Sequence, residues 1–421
     1  MLERVYFDAI KEEMYTGVIN GLRTYVIPKK GYTKSFAMLT TKFGSNDIEF
    51  SKKGGPMKEY PKGIAHFLEH KLFEEKEGNI FTRFAEMGAS PNAYTSAQIT
   101  TYYFTCTEGF NENLELLVRF VYNPYLTEEN VNKEKGIIEQ EIRMYEDNPG
   151  FRVYFNALES MYHSHPVRYD IAGTVESIYE ITPELLYDCY NTFYVPENMV
   201  MTIVGDVDIG AIEKILAKTV PQDRDSADFT VRKYREEPVV NQRKVHKKMG
   251  LSIPNFIIGF KDDTQGLDKK NYIRRKLQMD VIGRLLFSRS SYLYEEMYSS
   301  GLINESFSYE YALEEDYCHL IIGGESREAE KVMEKIKEYV KEKADIVNSQ
   351  DFLRVKKMMV GSFISRFNNI EGLGNFIKDY FIRGVNPFDY YEILKDINED
   401  EVAKRLQYLS NDDRWCISII D

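Results

Sequence analysis

Three residues within one short segment have the types and spacing to do metal chemistry. Gly63-Ile64-Ala65-His66-Phe67-Leu68-Glu69-His70-Lys71-Leu72-Phe73 contains the pattern H-x-x-E-H. On a helix His66 and His70 are i and i+4, so both imidazoles project from one face. Two such nitrogens can take two corners of a tetrahedral zinc site. Glu69 lies three residues after His66, near the same face, where it can accept a proton from a metal-bound water. The competing reading is a helix that carries two surface histidines beside a glutamate. A hydrolytic zinc site decides between them, because it needs a third protein ligand and one open position.

Candidates for that ligand lie downstream, between Glu134 and Pro149. Ile137, Ile138, Ile142 and Tyr145 recur there at helical spacing. Glu134, Glu139 and Glu141 are the available carboxylates. Glu134 and Glu141 are seven residues apart, two turns of helix, and so share a face. Taken alone, the segment reads equally well as a solvated acidic helix.

These two segments, with Ala89-Ser90-Pro91-Asn92-Ala93-Tyr94-Thr95-Ser96 between them, resemble the pitrilysin, insulysin and mitochondrial processing peptidase family. The order H-x-x-E-H is that of the inverzincins. The resemblance spans essentially the whole chain and is strongest to half-length bacterial members, often encoded beside a second homologous subunit. It implies Zn2+ held by His66, His70 and Glu141, with Glu69 as the general base. It implies that Glu134 supports catalysis by orienting a ligand, as outer partners of metal sites do. Asn92, Ala93, Tyr94 and Thr95 would form an edge strand that pairs with an extended peptide substrate.

Composition agrees with a soluble enzyme. The chain has 421 residues, too many for one ordinary core, which suggests two domains. A formal charge of −13 argues against a nucleic-acid partner. No uninterrupted apolar run is long enough to span a membrane, and the first residues show no apolar leader. Cys106, Cys189, Cys318 and Cys416 are far apart and read as reduced core thiols of a cytoplasmic bacterial protein.

The elements that position the site come in two related sets. Ile181 to Tyr190 followed by Met199 to Val204 matches Ile397 to Leu406 followed by Trp415 to Ile420, at an offset of 216 (397 − 181) without a gap. Each is a capped helix, a short loop and an apolar strand; Thr182 and Asn398 suit the N-cap and Pro183 the first helical position. A repeat of this length argues for duplicated domains. Helices are expected at Phe110–Tyr122, Glu128–Asp147 and Pro183–Phe193, and Asn20-Gly21 reads as a turn into a strand over Leu22 to Ile27. The expected fold is α+β: two homologous sandwich domains in tandem, each an antiparallel-rich sheet covered by helices. The expected division is a zinc-binding domain over 1–220, a linker over 221–244 and a domain without the zinc motif over 245–421. The family resemblance places the two domains facing each other around a peptide chamber.

One family feature is missing. Active members carry an Arg-x6-Tyr pair in the domain opposite the zinc, which steadies the scissile carbonyl. Aligned on Gly301-Leu302, those positions hold Met297 and Asn304. Tyr298 and Arg289 are weaker substitutes nearby. A homologous partner subunit that supplies the pair, in a heterodimer or in a homodimer, is one explanation; a degenerate chain is the other. The leading reading is therefore a zinc endopeptidase acting on unfolded peptides or on a precursor or leader peptide, completed by such a partner. The alternative is a non-catalytic assembly subunit of a heteromeric complex. Among the other histidines, His163 and His165 read as a loop, His246 as a solvated strand edge or linker, and His319 as structural.

Overall fold

The chain is described by a computed structural model that covers all residues except Ala9, Lys53, Glu77, 223–227 and 344–347. Residues 223–227 of the expected linker thus lie outside the described residues. The strands used below are β1 (Glu3–Phe7), β2 (Glu12–Ile19), β3 (Leu22–Pro28), β4 (Ser35–Thr41), β5 (Ala89–Thr95), β6 (Thr100–Cys106), β7 (Met199–Gly205), β8 (Lys244–Lys247), β9 (Asn255–Lys261), β10 (Ser308–Leu313), β11 (Cys318–Glu325) and β12 (Trp415–Ile420). The helices are α1 (Ile64–Leu72), α2 (Phe110–Val121), α3 (Glu128–Glu146), α4 (Pro149–Met161), α5 (Pro183–Phe193), α6 (Ile370–Phe381) and α7 (Glu399–Leu409).

The chain forms two compact units. One comprises 1–142, 170–232 and 364–387; the other comprises 143–169, 233–363 and 388–421. They differ from a contiguous division at 220 and 244 by an exchange of segments. Residues 364–387, late in the sequence, belong to the first unit, and 143–169 belong to the second.

The first unit is built on a seven-stranded sheet in the order β1-β2-β3-β7-β4-β6-β5. Every neighbouring pair is antiparallel except β3 and β7. Asn20 and Gly21 adopt positive φ of 49° and 84°, and Ile19 faces Leu22 across the β2–β3 hairpin. A two-residue turn of this kind follows the twist of the strands. All residues of β4 and β7 are buried, as expected of central strands covered on both faces. One face supports α1, α2 and α5 over a core that includes Phe67, Leu68, Tyr102, Phe104, Leu117 and Phe193. The other face supports α6, which lies on β4 and β7. Gly374 permits this close approach, because a Cβ there would sit 2.6 Å from the Phe36 ring.

The second unit repeats the pattern with five strands in the order β8-β12-β9-β11-β10. Only β8 and β12 run parallel, as β3 and β7 do in the first unit. Its covering helix α4 packs on β12 and β9. The match at an offset of 216 extends to capping: Thr182 accepts from Leu185 N–H, and Asn398 accepts from Glu401 N–H. This is the expected α+β pair of homologous sandwiches, with sheets covered by helices. Among the described residues no helix is long and apolar enough to cross a membrane. All four cysteines are buried and unpaired.

Candidate active site

The site is assembled by α1, α3 and the end of β5, and its residues on them all lie in the first unit. Helix α1 starts at Gly63, which has φ of 85° and no side-chain cap. A Cβ at Gly63 would meet Ala172 O at 2.2 Å, so both the backbone angle and the space demand glycine. Ile64, Ala65, Phe67, Leu68 and Leu72 bury the apolar face of α1. His66 and His70 occupy its remaining face, with ring centroids 4.5 Å apart.

Helix α3 is capped reciprocally: Thr127 Oγ1 accepts from Asn130 N–H at 3.2 Å, and Asn130 Oδ1 accepts from Thr127 N–H at 2.9 Å. Its buried stripe is Val131, Glu134, Ile138 and Ile142. Ile137, expected among the apolar positions, is instead 47% exposed. The three candidate carboxylates separate here. Glu139 Oε2 accepts from Tyr179 OH at 2.7 Å and takes no part in the site. Glu141 faces both histidines, with Oε1 3.8 Å from His66 Nε2 and Oε2 3.7 Å from His70 Nε2. Glu134 lies behind His70, with Oε1 3.0 Å from Nδ1.

One atom from each of His66, His70 and Glu141 can be chosen so that all three lie within 4.8 Å of one another. Tetrahedral zinc bonds of about 2.0–2.1 Å set ligand atoms roughly 3.4 Å apart. The observed separations need only small side-chain movements to reach that spacing. Two imidazole nitrogens and one carboxylate are also the donor set that zinc favours while leaving a fourth position open. These residues therefore fit a zinc ion. The Glu134 contact turns the Nε2 lone pair of His70 toward the cluster, the arrangement common behind ligating histidines. His66 Nδ1 is buried with no hydrogen-bond partner among the described residues.

The charges behave accordingly. Burial, and then the neighbouring His70, hold His66 far below the ordinary imidazole range, at about 3. For His70 burial pulls down, but the Glu134 hydrogen bond and the charges of Glu69, Glu134 and Glu141 outweigh it and raise the pKa. Burial pushes Glu69 up, against the Thr95 hydrogen bond and the His70 charge. For Glu134 burial pushes up, but His70 and Lys71 prevail and hold it low.

Two contributions escaped the sequence reading: the burial of Lys71, and a contact of Thr95, which was expected only on the substrate strand, with the base. Lys71 is fully buried, with Nζ 2.5 Å from Glu74 Oε2 and 3.5 Å from Glu134 Oε2. Its only sequence signal is a glutamate three residues on, the spacing of a helical ion pair. The other contributor is the Thr95 hydroxyl, which donates to Glu69 Oε2 at 2.7 Å. Asn92, Ala93, Tyr94 and Thr95 all lie on β5, the outermost strand of the sheet. Asn92 is exposed, and Tyr94 OH accepts from the buried Lys378 Nζ at 2.6 Å.

In the second unit Met297 is fully buried. Asn304 donates to Glu325 Oε2 at 2.8 Å and accepts from Ser306 N–H at 2.9 Å. Neither offers a cation or a phenol. Tyr298 stacks on Tyr294, and Arg289 donates to Glu305 O at 3.5 Å. His165 is buried, accepts from Val167 N–H and lies 3.1 Å from Asp316 Oδ2. His319 pairs with Tyr162 OH at 2.9 Å, and His246 sits on β8 beside Asp421. His165 and His319 are structural in their surroundings, and His246 is exposed on the edge strand, as expected.

Comparison with known proteins places the chain among peptidases. Residues 53–175 match the model of the insulinase family, peptidase family M16, and residues 180–359 match that of the peptidase M16 inactive domain. The zinc protease YmfH of Bacillus subtilis is 38% identical over 411 residues, covering 97% of this chain and 96% of the relative. The beta subunit of the mitochondrial-processing peptidase of Caenorhabditis elegans is 32% identical over 163 residues, 37% of this chain and 35% of that protein. The crystal structure of an M16-like peptidase from Alicyclobacillus acidocaldarius superposes with a TM-score of 0.92 at 33% identity, covering 99% of each chain.

Proposed function

Given that the chain belongs to peptidase family M16, as a half-length member, we propose that it is a zinc endopeptidase for unfolded peptides. The observation that carries this reading is the convergence of His66, His70 and Glu141 beside the carboxylate of Glu69. In this reading the first three hold the metal, Glu69 is the general base, and Glu134 orients His70. Zinc, when bound, supplies Lewis acidity and brings the pKa of a water toward neutrality. Glu69 Oε2 is engaged by Thr95, which leaves Oε1 to take a proton from the attacking water. The water oxygen bonds to the peptide carbonyl carbon, the carbon–nitrogen bond breaks, and Glu69 returns the proton to the leaving amine. Burial favours the neutral form of Glu69, which suits a group that must hold a proton between the two transfers. The exposed side of β5 receives the peptide as an added strand along Asn92, Ala93, Tyr94 and Thr95.

A homologous partner supplies the carbonyl-steadying cation and phenol, because Met297 and Asn304 offer neither. A single lost donor of that kind costs about 3–4 kcal/mol of transition-state stabilisation. Four buried, unpaired thiols favour a reducing, cytoplasmic compartment. The same missing donors favour a second reading, a zinc-binding assembly subunit without turnover of its own. Metal analysis and peptide cleavage together separate the two. His66→Ala should lose the metal, and Glu69→Gln should keep it and lose turnover. A full zinc complement in His66→Ala would remove that residue from the ligand set. Purification from the native host should yield a complex with a homologous subunit or a self-pair; a chain isolated only as a monomer would overturn the partner.

A further inference from the structure

The hydroxyl that holds Glu69 belongs to the strand on which a peptide would be laid. Thr95 is half-buried at the end of β5, and its Oγ1 donates to Glu69 Oε2 at 2.7 Å. An ionised carboxylate can only accept, so the single hydroxyl hydrogen of Thr95 is committed to it.

Thr95 is itself pinned from behind. It pairs with Thr100 across β5 and β6, and the two Oγ1 atoms lie 3.2 Å apart. Ser96 N–H donates to Ile99 O at 2.8 Å. Because hydrogen-bonded and non-hydrogen-bonded pairs alternate in an antiparallel ladder, Thr95 and Thr100 form a non-hydrogen-bonded pair, in which side chains sit closer. Thr100 is fully buried, and its Oγ1 donates to Phe43 O at 2.9 Å. With each hydroxyl hydrogen committed elsewhere, Thr100 backs Thr95 by packing between the sheet interior and the base. Threonine suits both positions, since its branched Cβ leaves χ1 stiff on a strand.

We infer that Thr95 is a positioning residue, whose hydroxyl, backed by Thr100, fixes the carboxylate of Glu69 and ties it to the edge strand that receives the peptide. The inference rests on the peptidase reading for its consequence and on the Thr95–Glu69 hydrogen bond for its geometry. Displacement of β5 moves the base, so an unpaired or misregistered edge leaves Glu69 off its line. A donor that serves orientation should act on turnover and not on peptide affinity.

The test uses the full-length, zinc-loaded chain with the partner that copurifies, on an internally quenched peptide. Thr95→Val keeps shape and strand propensity but removes the donor. It should lower kcat by roughly 10- to 100-fold, with KM and zinc content within about twofold of wild type. Thr95→Ser restores the donor and should recover kcat to within about threefold. A rise in KM with kcat preserved, or a Thr95→Ser variant as impaired as Thr95→Val, would overturn the inference. A second readout needs no turnover. In the metal-free chain, Thr95→Val should lower Tm by a few degrees, about the effect of one charge-assisted hydrogen bond, and should leave Tm unchanged in the Glu69→Ala background. Additive shifts would overturn the link between the two side chains. If wild-type chain with bound zinc cleaves nothing, the peptidase reading fails, and this thermal cycle still decides whether Thr95 holds Glu69.

Discussion

Replacing Glu134 by alanine tests how far the metal cluster depends on what stands behind it. Glu134 is 5% exposed. Its Oε1 lies 3.0 Å from His70 Nδ1, and its Oε2 lies 3.5 Å from Lys71 Nζ. Removal leaves the Nδ1–H of a cluster histidine without an acceptor and takes one counter-charge from a fully buried ammonium. Breaking a buried pair typically costs about 3–5 kcal/mol. Lys71 keeps Glu74 at 2.5 Å, so the lower part of that range, roughly 3 kcal/mol, is expected for the metal-free chain. For the metal, loss of such a support typically weakens affinity about 10- to 100-fold. The assay is competition with a chromophoric chelator for zinc affinity, together with Tm of the metal-free protein. Glu134→Gln separates the two roles, since it keeps an acceptor for His70 but not the charge that faces Lys71. It should hold zinc within about tenfold of wild type while losing much of the thermal stability. An alanine variant that binds zinc as wild type does, and melts with it, would refute the reasoning.

Two further changes follow from the fold. Gly63→Ala forces a side chain into positive φ and onto Ala172 O; thermal unfolding should show a loss of about 3 kcal/mol, and an unchanged Tm would contradict the assigned geometry. Glu236 accepts from the N–H groups of His163, Ser164 and His165 and from Lys261 Nζ. Burial opposes its charge, but Lys261 and those amides hold its pKa at about 2. A folded pKa below the unfolded one gives stability that is fully present above about pH 4.5 and lost as pH falls toward 2, up to about 3 kcal/mol. Tm against pH should therefore drop more steeply through that window in wild type than in Glu236→Gln; parallel profiles would remove Glu236 from the account.

Much of this was legible because the signals are local. Helix α5 occupies the expected Pro183–Phe193, and Asn20-Gly21 makes the expected turn. Both are written in caps and turn residues that act within a few positions. His66, His70 and Glu141 were legible through helical spacing joined to a family resemblance. Spacing put Glu134 and Glu141 on one face but could not tell ligand from support, and only packing against α1 separates them. The exchange of α4 and α6 between the units left no sequence trace, because an amphipathic helix reads the same whichever sheet it covers. Glu236 lay in a polar stretch read as linker, yet three backbone amides and a lysine fasten it. Long-range partners of that kind carry no periodic signature. Lys71 was passed over because a lysine on a helix is ordinarily solvated, and its burial depends on Glu134 sixty-three residues away.

The most direct measurement is cleavage of a mixed pool of unfolded peptides by the zinc-loaded chain in the complex isolated from its host, beside the same complex carrying Glu69→Gln. The account predicts cleavage by the first and none by the second, with equal zinc in both. Equal cleavage by both would contradict the role of Glu69, and zinc binding without cleavage by either would contradict the peptidase itself.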